Sequence, residues 1–230
     1  CSSTRSPSAW DTGQYSACVG SAEKGSGKFM GLDKSIPYYS VNMVCAAPQR
    51  APRGAALPAG YAFAGYADGM EEDWARILVE TGMADSRERA LECFREFREN
   101  LPLTRERMLF VRDGAGDAVA TATLWQSEWE GESLARIHWV GVLPAHEGKG
   151  IAKAMLSRLF CRYDELGLTG RVFLVTHSWS YPAIHIYHLW LRARALRSPG
   201  SVGADSKDAG KRAMKAWRKF VFRCYFGIGI

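Results

Sequence analysis

The residues best suited to chemistry lie in a short glycine-rich turn at residues 147–151, between an apolar run and a helix-like segment. Pro144 ends the apolar run, because proline cannot donate a hydrogen bond to a strand ladder. Gly148 and Gly150 permit tight backbone conformations, so successive N–H groups point outward where the next helix begins. The helix dipole attracts anions to such a terminus, and Lys149 adds a positive charge. The spacing predicts an anion-binding turn, although short Gly-x-Gly turns are also common as plain connections.

Two other patterns that could bind ligands lack a part that their chemistry needs. The segment at 22–29, AEKGSGKF, contains half of a phosphate-binding P-loop, but Phe29 stands where Ser or Thr would hold magnesium. No apolar strand precedes it, so we interpret this segment as a flexible linker. His177, His185 and His188 have no acidic or cysteine partner at a clear spacing, and we therefore predict no metal site.

The composition limits the classes of protein to consider. The chain has 230 residues, of which 47% are hydrophobic and 23% charged, a balance that can bury a globular core. The apolar runs are too short to cross a bilayer, so we predict a soluble protein without a membrane partner. The net charge is +6, but basic residues are interspersed with acidic ones. We therefore expect solvated helix faces and no nucleic-acid partner.

Cysteine usage and the N-terminal composition bear on location and domain boundaries. Scattered cysteines without a C-x-x-C pair predict reduced thiols in a cytoplasmic protein; the six stand at positions 1, 18, 45, 93, 161 and 224. Residues 1–35 are rich in Ser and Gly and lack an apolar period, which predicts a flexible tail or a processed segment. Residues 36–230 are predicted to form a single domain.

The elements that must position the glycine turn follow from apolar periods and turn signals. Strands are predicted at 61–66, 107–112, 118–125, 134–142 and 171–177, and helices at 71–82, 86–100, 151–160 and 181–191. A further helix at 213–218 and an aromatic strand at 220–226 follow near the C-terminus. Because strands and helices do not alternate strictly, the order predicts a mixed sheet with helices on both faces.

Two motifs in this order resemble those of the GCN5-related N-acetyltransferase (GNAT) superfamily. The first is a strand ending in Val-Leu-Pro at 142–144 and then the glycine turn, where the family has Arg/Gln-x-x-Gly-x-Gly/Ala opening a helix. The second runs from Ser180 to Tyr187 and is similar to the family's Asn-x-x-Ala-hydrophobic-x-hydrophobic-Tyr. Ser180 replaces the common Asn, and the Gly-Phe that often follows the tyrosine is absent. The resemblance covers roughly residues 60–192.

This resemblance implies an α/β GNAT fold: a mixed, mostly antiparallel central sheet of six to seven strands, flanked by helices and splayed between the fourth and fifth strands. It implies that residues 36–230 form an N-acetyltransferase domain with acetyl-coenzyme A as co-substrate. In the family, backbone amides of the turn bind the pyrophosphate, and the edge of the preceding strand hydrogen-bonds the pantetheine arm. The cofactor-binding residues implied are Val140, Gly141, Val142, Glu147, Gly148, Lys149, Gly150, Ile151, Ala152, Ser180, Tyr181 and Ala183.

Glu147 departs from the family pattern, which usually has Arg or Gln at that place. A carboxylate near a pyrophosphate is unfavourable because like charges repel. If the contact to phosphate is made mainly by backbone, the Glu147 side chain can turn to solvent, and Lys149 partly offsets its charge. The departure therefore bears on cofactor affinity more than on function.

The reaction that the resemblance implies assigns roles to three residues. An amine attacks the thioester and coenzyme A leaves as a thiolate; because a thiol has a pKa of about 8.5 and tyrosine one of about 10, Tyr187 can serve as general acid. The backbone N–H of Val140 is a candidate oxyanion contact. For the base, His138 shares a predicted strand face with Arg136 and Val140, but a packed or solvent-facing histidine is the favoured interpretation. A water-mediated route is as open as any named residue.

The leading hypothesis is an N-acetyltransferase that transfers the acetyl group of acetyl-coenzyme A to a primary amine, on a small molecule or a peptide, by direct attack. The alternative is a non-catalytic module of the same fold that binds an acyl-coenzyme A as a sensor or partner domain. A nucleic-acid-binding protein is a third hypothesis, which the interspersed charges disfavour. The sequence does not identify the acceptor amine, and a homodimer is a further expectation.

Overall fold

The computed structural model describes Tyr38 and residues 40–196. The predicted tail at 1–35, the helix at 213–218 and the strand at 220–226 lie outside the described residues. Within the part that is described, no helix has the length and apolar character needed to span a membrane.

Seven strands are described: β1 Ser40–Cys45, β2 Ala62–Gly65, β3 Met108–Arg112, β4 Ala118–Trp129, β5 Glu132–Val142, β6 Val172–His177 and β7 Arg194–Leu196. The α-helices among the same residues are α1 Glu71–Glu80, α2 Arg87–Cys93, α3 Arg95–Arg98, α4 Leu101–Arg107, α5 Ile151–Glu165 and α6 Tyr181–Leu191. Short 3-10 turns lie at Pro48–Arg50, Pro144–His146 and Ser178–Ser180.

The strands form one sheet in the order β2-β3-β4-β5-β6-β1-β7. The pairing of β5 with β6 is parallel, and the other described pairings are antiparallel. The prediction of a mixed, mostly antiparallel sheet flanked by helices is therefore confirmed. Turn chemistry accounts for the β3–β4 hairpin, because Asp113 Oδ1 accepts from the N–H groups of Ala115 at 3.0 Å and Asp117 at 3.1 Å.

The sheet opens between β5 and β6, which correspond to the predicted fourth and fifth strands. Their pairing begins at Ala135 opposite Val172 and ends at Ile137 opposite Leu174. Beyond that point β5 continues to Val142 without β6 alongside, while β6 stays paired with β1 as far as His177. The predicted splay is confirmed. Among the described residues no strand pairs with β5 on the β6 side over residues 140–142, and we call this stretch the freed edge of β5.

An aromatic cluster beneath α1 anchors the helices to the sheet. Trp74 is fully buried, with ring centroids 5.2 Å from Phe94, 5.8 Å from Phe97 and 5.3 Å from Trp139 on β5. Edge-on aromatic contacts of this kind add to the free energy of area burial. The cluster therefore fixes α1, α2 and α3 relative to the end of β5, where the sheet opens.

Three local expectations differ from the structure. The strands β1 and β7 were not predicted, because they have only six and three residues and β1 is buried along nearly its whole length. The helix predicted at 86–100 ends at Cys93 and resumes at Arg95. Cys45 and Cys161 are free thiols, but Cys93 is disulfide-bonded, so the prediction of reduced cysteines is wrong there.

Candidate active site

The glycine turn leaves the start of α5 open. Gly148 has a φ of +73° and Gly150 a φ of +87°, values that favour glycine because a side chain there strains the backbone. A Cβ built at either position would meet no atom of the described residues within 4 Å. The helix begins at Ile151 without a side-chain cap and without an acidic residue in its first turn. The turn therefore offers backbone N–H groups and an uncompensated dipole to an anion.

A cavity of about 690 Å³ adjoins this turn. It is bounded by the last residues of β5, the start of α5, one side of α6 and the loop after α1. Many of the predicted site residues line it together, namely Val140, Gly141, Val142, Glu147, Gly148, Gly150, Ile151, Ala152, Ser180, Ala183 and Tyr187. The sequence analysis did not identify the remaining lining residues, Thr81, Met83, His146, Lys153, Leu156, Pro182, His185 and Ile186.

Lys149 does not line the cavity and is held at its rim by an aromatic partner. Its Nζ donates to Tyr61 Oη at 3.0 Å and lies 5.7 Å from the centre of the Tyr61 ring. The same hydroxyl lies 2.8 Å from Nδ1 of His146, which does line the cavity. Tyr181 is the first residue of α6, and its side chain lies outside what the structure describes.

A β-bulge shapes the end of β5. Thr123 is opposite His138 and Thr121 is opposite Gly141, so two residues of β5, Trp139 and Val140, stand against one residue of β4. Trp139 has a φ of +50°, which costs a non-glycine residue roughly 1–2 kcal/mol. Trp139 and Val140 thereby leave the regular ladder beside the cavity.

The bulge changes which side chains share a face of the sheet. Residues directly opposite each other on paired strands point to one face, so His138 and Gly141 lie on the same face and Val140 lies on the other. The prediction that His138 and Val140 share a face is therefore wrong, because it assumed an uninterrupted period of two. The side chain of His138 is buried, 5% exposed, and does not line the cavity.

Gly141 faces the end of α1, where a side chain would require the side chains of Met83 and Ile77 to shift. A Cβ at this position would lie 2.5 Å from Met83 Cε and 3.3 Å from Ile77 Cγ2. Because Met83 also lines the cavity, the absence of a side chain at 141 sets how far the α1 end approaches β5.

Glu96 on α3 is hydrogen-bonded to two successive residues at the bulge. Its Oε1 accepts a hydrogen bond from Nε2 of His138 at 2.9 Å and one from Nε1 of Trp139 at 3.2 Å. Burial alone raises the pKa of Glu96, but interactions with His138, Trp139 and Arg136 outweigh it and place the pKa below its usual range. Burial, followed by the charge of Arg136, lowers the pKa of His138 to about 4. At neutral pH an ionised Glu96 therefore faces a neutral His138.

Glu96 was not predicted as a site residue, because the Arg- and Glu-rich helix at 86–99 was expected either to line the acceptor side or to face solvent. The available signal was its position between Phe94 and Phe97, two residues of the apolar face that are fully buried.

Tyr187 and Glu147 lie on different walls of the cavity. Tyr187 projects from α6 and is 6% exposed. Glu147 precedes the glycine turn, and partial burial raises the pKa of its carboxyl group. Within the described residues no group of three or more His, Cys, Asp or Glu side chains comes together at a spacing suited to a metal ion.

Comparisons with known proteins agree with this architecture. A family model described as the acetyltransferase (GNAT) family matches residues 70–189, just over half of the chain. The crystal structure of a GCN5-related N-acetyltransferase from Sphaerobacter thermophilus has a TM-score of 0.53 at 22% sequence identity, over 68% of this chain and 48% of that one. A tandem GNAT protein from the clavulanic acid biosynthesis pathway has a TM-score of 0.51 at 15% identity, over 72% of this chain and 52% of that one.

These identities establish similarity of fold, and this chain spans about half the length of each of the two proteins. A search of curated proteins finds no match. The family model, the splayed sheet and the open start of α5 agree, and the chain belongs to the acetyltransferase (GNAT) family.

Proposed function

We propose that this protein is an N-acetyltransferase that transfers the acetyl group of acetyl-coenzyme A to a primary amine by direct attack. The observation that carries the proposal is the cavity beside the freed edge of β5, which ends at the uncapped start of α5. A free strand edge offers hydrogen bonds to an extended chain, and an open helix start offers them to an anion. A thioester on a pantetheine arm with a pyrophosphate needs both.

In this proposal acetyl-coenzyme A lies along the cavity with its pyrophosphate at the glycine turn. The N–H groups at the start of α5 hold the phosphates, and Gly148 and Gly150 let the backbone approach them. The pantetheine arm pairs with β5 at Val140 and Val142. The acetyl group then lies near the bulge, within the part of the cavity that Tyr187 lines.

The transfer forms one bond and breaks another at the thioester carbonyl carbon. The amine nitrogen attacks, the carbonyl oxygen gains negative charge, and the backbone N–H of Val140 stabilises that charge. The C–S bond then breaks and Tyr187 gives a proton or a hydrogen bond to the leaving sulfur. Positioning of the two reactants supplies much of the rate, and no covalent enzyme intermediate forms.

The amine must reach the thioester as a neutral species, because an ammonium ion has no free electron pair. His138 is not our preferred base, since its side chain is buried, faces Glu96 and has a pKa of about 4. We favour release of the proton to water in the open part of the cavity. The acceptor is a small molecule or a peptide amine, and a homodimer, like the cytoplasmic location, remains a prediction.

A non-catalytic acyl-coenzyme A-binding module is the second candidate. Glu147 favours it, because a carboxylate in the cavity next to the glycine turn repels the phosphates that the turn would bind. The two candidates share the cavity and differ in whether thiol is released.

The experiment that tests the proposal measures release of free thiol from acetyl-coenzyme A in the presence of a panel of primary amines. We expect Tyr187→Phe to lower kcat by about 10- to 100-fold and to leave the Kd for acetyl-coenzyme A unchanged. Tyr163→Phe is the matched control, because Tyr163 Oη donates to the Gly170 carbonyl oxygen at 2.9 Å on the far end of α5. Binding without thiol release for every amine, in the wild type as in Tyr187→Phe, would identify the module instead.

A further inference from the structure

We infer that Glu96 is a positioning residue for acetyl transfer: its carboxylate holds the bulge that aims the Val140 N–H at the thioester. The inference rests on the proposed function of the cavity. It gives α3 the role of fixing the conformation of β5 at the bulge, whereas the glycine turn and α6 contact the cofactor directly.

The hydrogen bonds of Glu96 are themselves a signature of the bulge. In a regular strand, adjacent side chains point to opposite faces, so one carboxylate oxygen cannot reach both. Oε1 of Glu96 nevertheless accepts from His138 at 2.9 Å and from Trp139 at 3.2 Å. This is achieved because Trp139 adopts a φ of +50° and turns its indole toward the α3 side. The two bonds therefore exist together only while the bulge exists.

The bulge needs such support because its sequence does not favour it. A left-handed backbone conformation is strained in a residue with a side chain, and the residue here is Trp139. The glycine nearby is Gly141, two residues further on, at a φ outside the left-handed region. Packing of the Trp139 ring on Trp74, at 5.3 Å between centroids, supplies one restraint. The hydrogen bond from the Trp139 indole to Glu96 supplies a second restraint, which fixes the direction of the side chain.

Loss of the bulge would rearrange the wall of the cavity. A shift of one residue moves each later side chain of a strand to the other face. Val140 would then stand opposite Thr121 in the place of Gly141, where a Cβ lies 2.5 Å from Met83 Cε, so the Met83 side chain would have to move. The backbone N–H groups of the freed edge would turn with the side chains. Glu96 therefore holds the conformation of the strand edge through His138 and Trp139, although it does not itself line the cavity.

Glu96 is placed for this task by its own neighbours. It lies between Phe94 and Phe97, which are fully buried, and the Phe97 ring is 5.0 Å from that of Trp125 on β4. Its side chain is 23% exposed, and its pKa below the usual range keeps it an ionised acceptor at neutral pH. An ionised acceptor makes stronger hydrogen bonds than a neutral one, which suits a carboxylate that opposes backbone strain.

The test compares Glu96→Ala with Glu96→Gln, and uses Glu99→Ala as the control. Glutamine keeps an oxygen that accepts from Trp139 and His138, whereas alanine removes it; Glu99 is exposed at the end of α3. We expect Glu96→Ala to weaken acetyl-coenzyme A binding by about 10- to 100-fold. Glu96→Gln stays within about threefold of the wild type, and Glu99→Ala is unchanged. The Kd is measured by titration calorimetry.

The indole N–H of Trp139 gives a readout that does not depend on the cofactor. In nitrogen–proton correlation spectra of the full chain its resonance is assigned by its loss in Trp139→Phe. We expect that resonance to shift and to lose protection from solvent exchange in Glu96→Ala, and to remain protected in Glu96→Gln. A resonance that is unchanged in Glu96→Ala would overturn the inference, and so would a Glu96→Gln that binds as weakly as Glu96→Ala.

Failure of the inference can be told apart from failure of the proposed function. A wild type that neither binds acetyl-coenzyme A nor releases thiol would remove the proposed function and, with it, the catalytic meaning of Glu96. A wild type that binds the cofactor while Glu96→Ala binds it equally well would remove the inference alone. If Glu96→Ala does not fold, Trp139→Phe tests the same contact. It deletes the indole N–H that donates to Glu96 and keeps an aromatic ring against Trp74. We expect it to bind acetyl-coenzyme A about three- to tenfold more weakly.

Discussion

The helices of this protein begin in two different ways. α1 carries Glu71, Glu72 and Asp73 in its first turn, and α2 is capped by Ser86, whose Oγ accepts from the Arg89 N–H at 3.2 Å. α4 is capped in the same way by Asn100. In these helices the chain itself compensates the positive end of the dipole and the free N–H groups.

α5 and α6 differ, since neither has a side-chain cap hydrogen bond nor an acidic residue in its first turn. Both begin at the cavity, at Gly150 and Ser180, which line it. A helix start that the chain does not satisfy needs another source of negative charge or of acceptors. The helix starts away from the cavity therefore contribute to stability, whereas the two at the cavity leave their N–H groups available to a ligand.

The largest effect on the open start of α5 is expected from Gly150→Glu. It places a carboxylate at the open start of α5 and a side chain at a φ of +87°. We expect acetyl-coenzyme A to bind at least about 100-fold more weakly, because the new charge both repels the phosphates and occupies their place. Titration calorimetry with acetyl-coenzyme A measures the change.

Gly116→Glu separates the backbone strain from the effect on the site. Gly116 has a φ of +91°, also with no atom within 4 Å of an added Cβ, but it lies in the β3–β4 hairpin. Both variants should lose a similar part of the free energy of unfolding, and only Gly150→Glu should lose affinity. Equal affinities in the two variants would mean that the turn is a plain connection.

Glu147→Arg tests the same helix start in the opposite direction. It removes the carboxylate that lines the cavity and adds a positive charge that attracts phosphates. We expect acetyl-coenzyme A to bind about fivefold more tightly at low salt, with a gain that shrinks as the ionic strength rises. Glu99→Arg makes the same change of net charge on an exposed residue of the α3 end, and an equal gain there would assign the effect to net charge alone.

The sequence predicted most of the elements that make this contrast, because their signals are local. The apolar period of α5, the hairpin at Asp113 and the turn at Gly148–Gly150 are all read within a few residues. The fold as a whole, including the splay between β5 and β6, came from the resemblance of two such local motifs to the GNAT superfamily.

What the sequence did not predict depends on contacts between distant residues. β1 pairs with β6 across 127 to 137 positions, and its burial lacks the alternation of a half-buried strand. The left-handed position of the bulge is Trp139 and not a glycine, so no local signal predicts it. The bulge is stabilised by packing on Trp74 and by hydrogen bonds to Glu96. For that reason His138 was placed on the wrong face and Glu96 was overlooked.

Ser86→Ala tests a helix start that the chain caps with its own side chain. It removes the cap of α2, and we expect the free energy of unfolding to fall by about 1 kcal/mol. Because α2 begins away from the cavity, the Kd for acetyl-coenzyme A should stay within about twofold of the wild type. Urea unfolding and calorimetry measure the two quantities. A loss of affinity would show that α2 supports the site as well as the fold.

Ser180→Ala should have the smallest effect and the opposite pattern. Ser180 Oγ makes no cap hydrogen bond to α6 and lies 3.4 Å from the ring nitrogens of His177. We expect the free energy of unfolding to change by less than about 0.5 kcal/mol, since no cap is lost. Affinity for acetyl-coenzyme A should fall by about two- to threefold, because the hydroxyl lines the cavity at an open helix start. A stability loss equal to that of Ser86→Ala would make Ser180 an ordinary cap, and α6 would then join the helices whose ends the chain satisfies by itself.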